Sequence, residues 1–138
     1  VRSPIEFREY EEGDLDGVIA LCSQESWTSY ADDRDRAREV FAAPGVVAVV
    51  ATASRHIIGF AYFQTDRAIQ AHLSLLVVEQ TFRRLGVAKG IISYAFPLLG
   101  ATRVDLITDT AETFYRSLSH KAESGFRLYP PRTSTNDM

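Results

Sequence analysis

The sequence predicts an α/β domain built on a mixed, mostly antiparallel central sheet with helices on both faces. Three observations carry that expectation. Val46 to Ala53 and Ile57 to Gln64 are apolar, β-branched runs separated only by Ser54 to His56, as in an antiparallel hairpin. Leu73, Leu75, Leu76, Val77 and Val78 form a nearly continuous apolar run, the pattern of a strand covered on both faces. That run passes through a short basic loop into a glycine-punctuated helix and then into Arg103 to Ile107. A strand, helix, strand order makes the last strand parallel to the central one.

The remaining elements follow in chain order. After a short tail containing Pro4, Ile5 to Tyr10 alternates loosely enough for a first strand, and Glu11 to Asp14 turns the chain. Asp14 suits an N-cap, with Leu15, Val18, Ile19 and Cys22 at helical spacing to about Ser23; on that stripe Cys22 is a core residue. A second helix is expected from Asp33 to Ala42, ended by Pro44 and Gly45. Asp66 and Arg67 turn the chain into the central strand, Ala68 to Val78, whose change from alternating to wholly apolar suggests a bulge near Leu76. The following helix, from Gly86 or Val87, should end near Phe96, because Pro97 lacks an N–H and disfavours helix before it. Ala111 onward reads as helix, Gly125 to Tyr129 as extended chain, and Ser134 to Met138 as a polar tail.

The 138 residues fit one domain, taken as 1–138, and 46% apolar composition is ample for a core. No apolar run approaches the ~20 residues of a membrane span, and the N-terminus lacks the signal-peptide order, so the expectation is a cytoplasmic protein with no membrane partner. One cysteine excludes an intrachain disulfide framework and a cysteine-rich metal site, and His56, His72 and His120 lack ligand spacing, so no metal is expected. A net charge of −3 argues against a nucleic-acid surface spread over the domain.

Function is expected at the loop after Val78. In RRLGVAKG, Gly86, Ala88 and Gly90 keep side chains small where a helix begins, leaving its first N–H groups open. With the helix dipole behind them they suit a phosphate, and Arg83, Arg84 and Lys89 add positive charge, so a pyrophosphate-bearing ligand fits. The spacing is neither a Walker loop nor the Rossmann G-x-G-x-x-G. The alternative is a small-residue helix packed closely on its sheet with solvated arginines. Earlier in the chain, QESWTSYADD sets Trp27 and Tyr30 beside Glu25, Asp32 and Asp33, a combination that suits a cationic amine. A helix-capping loop with one aromatic tucked inward explains it as well.

Arg83, Gly86 and Ala88 resemble the Q/R-x-x-G-x-G/A signature of the GNAT superfamily, the acyl-CoA-dependent N-acyltransferases. Ala111 to Leu118, AETFYRSL, followed by Gly125 to Tyr129, GFRLY, resembles that family's second signature, a helix with A-x-x-F-Y before a Gly-Phe that opens a strand. The resemblance covers roughly Leu73 to Tyr129. It implies a GNAT-like sheet whose parallel strand pair is splayed at the cofactor site, where the pantetheine arm of coenzyme A pairs with the central strand's backbone. By position, Leu76, Val77 and Val78 would make those contacts, and Arg83, Arg84, Leu85, Gly86, Val87, Ala88 and Lys89 would hold the pyrophosphate. Thr108 stands where many members carry an asparagine that touches the cofactor arm. Ser119 to Ser124 separates Leu118 from Gly125, which usually adjoin, and the sequence stops soon after Tyr129, where members usually add a strand.

Acetyl transfer from acetyl-CoA to a primary amine needs a neutral amine, an oxyanion donor and a proton for the thiolate, with no covalent enzyme intermediate. The backbone N–H near Val78 is the candidate donor and Tyr115 the candidate acid; the alternative is that Tyr115 and Phe114 only pack their helix. Glu79, or less readily His72, could drain the amine's proton through water. The amine, a small molecule or peptide, would enter past Trp27, Tyr30, Asp32 and Asp33. The runner-up reading is a noncatalytic acyl-CoA-binding or regulatory domain, and either could be a monomer or homodimer.

Overall fold

The computed structural model describes residues 4–131; the polar tail expected at Ser134 to Met138 lies outside them. The chain divides into two compact units, one ending at Asp105 and the other beginning at Leu106. The first is a five-stranded sheet in the order β1-β2-β3-β4-β5, formed by β1 (Ile5–Glu9), β2 (Val46–Ala53), β3 (His56–Thr65), β4 (Gln70–Val78) and β5 (Arg103–Asp105). The first four strands pair antiparallel and β4 with β5 parallel, as the order of elements predicts.

Helices cover both faces. On one face α1 (Leu15–Gln24) and α3 (Arg34–Phe41) bury Leu15, Val18, Leu21, Cys22, Ala37 and Phe41 against Val50, Phe60, Tyr62, Leu75 and Val77 of the sheet. Cys22 has no exposed surface, and burial pushes its thiol up to about 11, which leaves it an inert core residue. On the other face α4 (Val87–Leu99) buries Val87, Ile91, Ala95 and Leu99, a stripe at four-residue spacing. Two glycines let α4 approach closely. A Cβ at Gly90 would collide with the Phe7 ring of β1, and one at Gly59 would lie 3.0 Å from Ile91 Cδ1.

A bulge in β4 resolves the strand's ambiguous pattern. Tyr62 pairs with Leu75 but Phe63 with Leu73, so Ser74 is an extra residue, two positions before the expected kink. Because side chains alternate, that insertion moves the odd-numbered residues across the sheet: Leu73 shares a face with Phe63, whereas Leu75 and Val77 join Tyr62 under α1 and α3.

Four local expectations are corrected. The segment expected as a loop contains a single turn, α2 (Thr28–Ala31), closed by Asp32 N–H on Thr28 O at 2.8 Å. Helix α4 runs through Pro97 to Leu99, because Leu99 is fully buried on its stripe, its carbonyl accepts the Thr65 hydroxyl at 2.8 Å, and Gly100 closes the end in the left-handed region. Strand β5 stops at Asp105 rather than Ile107. In the second unit α5 (Glu112–Arg116) is short, and Gly125 to Tyr129 forms no strand, since no described segment pairs with it.

Candidate active site

The pairing of β4 with β5 covers only Gln70, Ala71 and His72. From Leu73 to Val78 that edge of β4 has no strand partner among the described residues. Peptide groups alternate between the two edges of a strand, and Glu79 N–H donates to Ile58 O on β3 at 2.8 Å. The Val78 N–H therefore points to the unpartnered edge, as does that of Leu76. Val77 is buried and its peptide faces β3, so this edge is lined by Leu76 and Val78.

Beyond Val78, Gln80–Phe82 forms a turn of 3-10 helix, and the chain reverses with Arg84 at φ 65° and Gly86 at φ 80°. Gly86 is needed for its backbone conformation rather than for space, since a Cβ there would meet nothing within 4 Å. Gly86 caps α4 without a side-chain hydrogen bond, and the first main-chain bond runs from Gly90 N–H to Gly86 O at 2.9 Å. The N–H groups of Val87, Ala88 and Lys89 thus precede the helix's own bonding. Arg84, Leu85, Gly86 and Lys89 are exposed, and the Val87 side chain is buried, so Val87 offers only main chain.

Arg83 is used differently from its neighbours. Its Nη2 donates to Oε1 of Glu25, and its Nε donates to Val78 O at 3.2 Å. Glu25 accepts a further bond from Gln80 N–H at 3.2 Å, and its side chain is 8% exposed. Sequence reasoning noticed Glu25 only as part of an acidic loop. A contact between residues 58 positions apart leaves no local periodicity.

The residues expected on the amine side divide by role. Tyr30 packs on Phe41 with ring centroids 6.0 Å apart and shares a 2.8 Å hydrogen bond with the Tyr62 hydroxyl. Burial raises the Tyr62 phenol well above its ordinary range, and the Tyr30 hydroxyl adds to the shift. Asp33 caps α3, accepting from Arg36 N–H at 3.1 Å, whereas Asp32 is exposed and Trp27 is 42% exposed. Of the two possible bases, Glu79 follows Val78 directly and accepts from Thr81 Oγ1 at 2.6 Å. His72 is exposed six residues earlier on the strand, about 20 Å from Val78 at ordinary strand rise.

In the second unit, Thr108 Oγ1 accepts from Ala111 N–H at 3.0 Å, in the turn before α5. Tyr115 is half-buried, edge-on to Phe114 at 4.9 Å, and burial pushes its phenol up to about 12.

Residues 8–124 match the model of the acetyltransferase (GNAT) domain. The chain belongs to the GNAT acetyltransferase family. No curated protein is significantly similar. Among solved structures, the aminoglycoside acetyltransferase AAC(6')-Iy, in complex with the bisubstrate analogue CoA-S-monomethyl-acetylneamine, superposes at TM-score 0.78 and 20% identity, covering 95% of this chain and 100% of that one. An aminoglycoside acetyltransferase from an uncultured soil metagenomic sample, bound to sisomicin, gives 0.73 at 17% identity, over 94% and 97%. A transcriptional regulator from Bacillus halodurans gives 0.74 at 19% identity, over 91% and 99%. At these identities the likeness defines the fold. Among the described residues no helix is long and apolar enough to cross a membrane.

Proposed function

We propose that this protein transfers an acetyl group from acetyl-CoA to a primary amine by direct attack, without a covalent enzyme intermediate. The observation that carries the reading is the meeting of two open backbone elements. The edge of β4 ends at Val78 with its N–H unpartnered among the described residues, and the start of α4, where no side chain bonds the first N–H groups, follows eight residues later at Gly86. The first suits the pantetheine arm and the thioester carbonyl, the second the pyrophosphate, with Arg84 and Lys89 as nearby cations. The neutral amine forms the new C–N bond as the C–S bond breaks, and the Val78 N–H receives the charge developing on the carbonyl oxygen. We assign the proton taken by the departing thiolate to Tyr115, from its A-x-x-F-Y position and a phenol kept neutral by burial. Glu79 drains the amine's proton through water.

The complexes of AAC(6')-Iy with a CoA-linked neamine and of the soil enzyme with sisomicin support a polyamine-like small molecule as the acceptor class. Trp27, Tyr30 and Asp32 are the proposed contacts. Thiol release from acetyl-CoA, followed across aminoglycosides, polyamines and peptide N-termini, tests this directly. The second reading, a noncatalytic acyl-CoA-binding regulator, is favoured by the likeness to the Bacillus halodurans regulator. A CoA-dependent thermal shift with no turnover on any amine of the panel would select it.

A further inference from the structure

We propose that Glu25 is a positioning residue for cofactor binding: through Arg83 it locks the main chain between the end of β4 and the loop that leads into α4. The inference rests on the acetyl-CoA reading above. Glu25 is the C-cap of α1, far from the loop in sequence, yet both of its oxygens are taken there. Oε1 accepts from Arg83, and Oε2 from Gln80 N–H, with Gln24 Nε2 at 3.4 Å. The Arg83 guanidinium then reaches Val78 O through Nε. One carboxylate and one guanidinium therefore hold three points of main chain: Val78 at the strand end, Gln80 in the turn, and Arg83 where the loop begins.

This arrangement changes what Arg83 contributes. A carboxylate withdrawn from water is tolerable because charged and main-chain donors replace the lost hydration. Arg83 supplies that replacement, and its planar fork reaches Glu25 and Val78 O at once, a geometry that a lysine cannot reproduce. Two of its nitrogens are committed inward, which leaves Arg84 and Lys89, in no ion pair among the described residues, as the charges free to meet phosphate. Because Glu25 also ends α1, it ties the helix that leads to Trp27 and Tyr30 to the cofactor loop.

The test is calorimetric titration of coenzyme A into wild type, Glu25→Gln, Arg83→Met, Arg83→Lys and the Glu25→Gln/Arg83→Met double variant, with the melting temperature of each unliganded protein. We expect each single variant, Arg83→Lys included, to weaken CoA binding about tenfold, and the double variant to be no worse than the worse single one. Melting temperatures of Glu25→Gln, Arg83→Lys and the double variant should stay within a few degrees, whereas Arg83→Met, which leaves a withdrawn carboxylate without its cation, should melt lower. If Glu25→Gln binds CoA as well as wild type or more tightly while Arg83→Met weakens it, Arg83 is a phosphate ligand that Glu25 merely restrains, and the proposal fails. It fails equally if Glu25→Gln lowers the melting temperature and leaves affinity unchanged. Should Glu25→Gln not fold, Arg83→Lys decides alone, since wild-type affinity in that variant removes the need for the fork. A wild type that does not bind CoA overturns the acetyl-CoA reading itself, and this inference with it.

Discussion

The two segments that carry the family's signatures are built to different standards. The first, from β4 through the Arg83 loop into α4, is held by packing: Leu73, Leu75, Val77, Val87, Ile91, Ala95 and Leu99 are all buried. The second buries nothing fully. In α5, Phe114 and Tyr115 are half-buried, and beyond it Phe126, Leu128 and Tyr129 are 82%, 87% and 76% exposed. The signatures are similarly short, so motif content does not explain the contrast. Neighbours do. The first segment lies between strands and under a helix, whereas Gly125 to Tyr129 has strand-forming residues and no ladder to join among the described residues. Propensity without a partner does not make a strand.

The sharpest way to break this comparison is by truncation. Ile91→Ala removes a fully buried side chain packed near Gly59 and should cost about 2–5 kcal/mol of stability. Phe126→Ala and Leu128→Ala, at exposed positions, should stay within about 0.5 kcal/mol. Denaturant midpoints at constant m-value measure both. A cost above about 2 kcal/mol at Phe126 or Leu128 would mean that in solution the second segment is covered.

Within the well-packed segment, Gly86 separates fold from function. Its left-handed backbone disfavours any side chain, and Gly86→Asp adds a carboxylate where an anion is expected, so CoA affinity should fall by roughly 10²-fold. Gly86→Asn tolerates the same backbone without the charge and should lose much less. Titration with CoA would read the difference, and equal losses would assign the whole effect to the backbone.

Much of this was legible in the sequence, and the rest was not for identifiable reasons. The hairpin, the parallel crossover and a helix start at Gly86 or Val87 follow from local patterns, and the structure begins α4 at Val87. Pro97 misled because a helix end is decided by what holds it: buried Leu99 and the Thr65 hydroxyl lie outside any local window. The α2 turn is four residues long, too short to show a period, and Tyr30 steadies it through contacts with Phe41 and Tyr62. The bulge at Ser74 was sensed from the changed alternation but placed two residues late, because an inserted residue alters the pattern on both sides of itself. At the site, the glycines and the strand end were readable as backbone features. The Glu25–Arg83 pair was not, being a tertiary contact between two ordinary surface-type residues.

In the less packed segment Tyr115 carries the proposed chemistry. Tyr115→Phe keeps the ring and its edge contact with Phe114 and removes only the hydroxyl, so turnover should fall by roughly 10²-fold with CoA affinity little changed. Because burial holds the phenol protonated to about 12, wild-type turnover should show no fall near pH 10 from loss of this acid. Unchanged turnover in the variant, measured where chemistry limits the rate, would leave Tyr115 a packing residue.

The smallest effect compares one phenol from each segment. A buried neutral tyrosine contributes its full stability below the unfolded value of about 10 and loses it as pH rises through the raised folded value. In that interval the unfolded chain ionises first, the folded chain holds more protons, and stability declines with pH. Tyr62 in the first unit and Tyr115 in the second are both raised by burial, with Tyr10 a smaller contributor of the same sign. Urea midpoints between pH 8 and about 11.5 should therefore fall for wild type, and less steeply for both Tyr62→Phe and Tyr115→Phe. If Tyr62→Phe flattens the profile while Tyr115→Phe superimposes on wild type, the second phenol meets water in solution. The acid of the reaction would then titrate near its ordinary value, and an alkaline fall in turnover near pH 10 would have to appear with it.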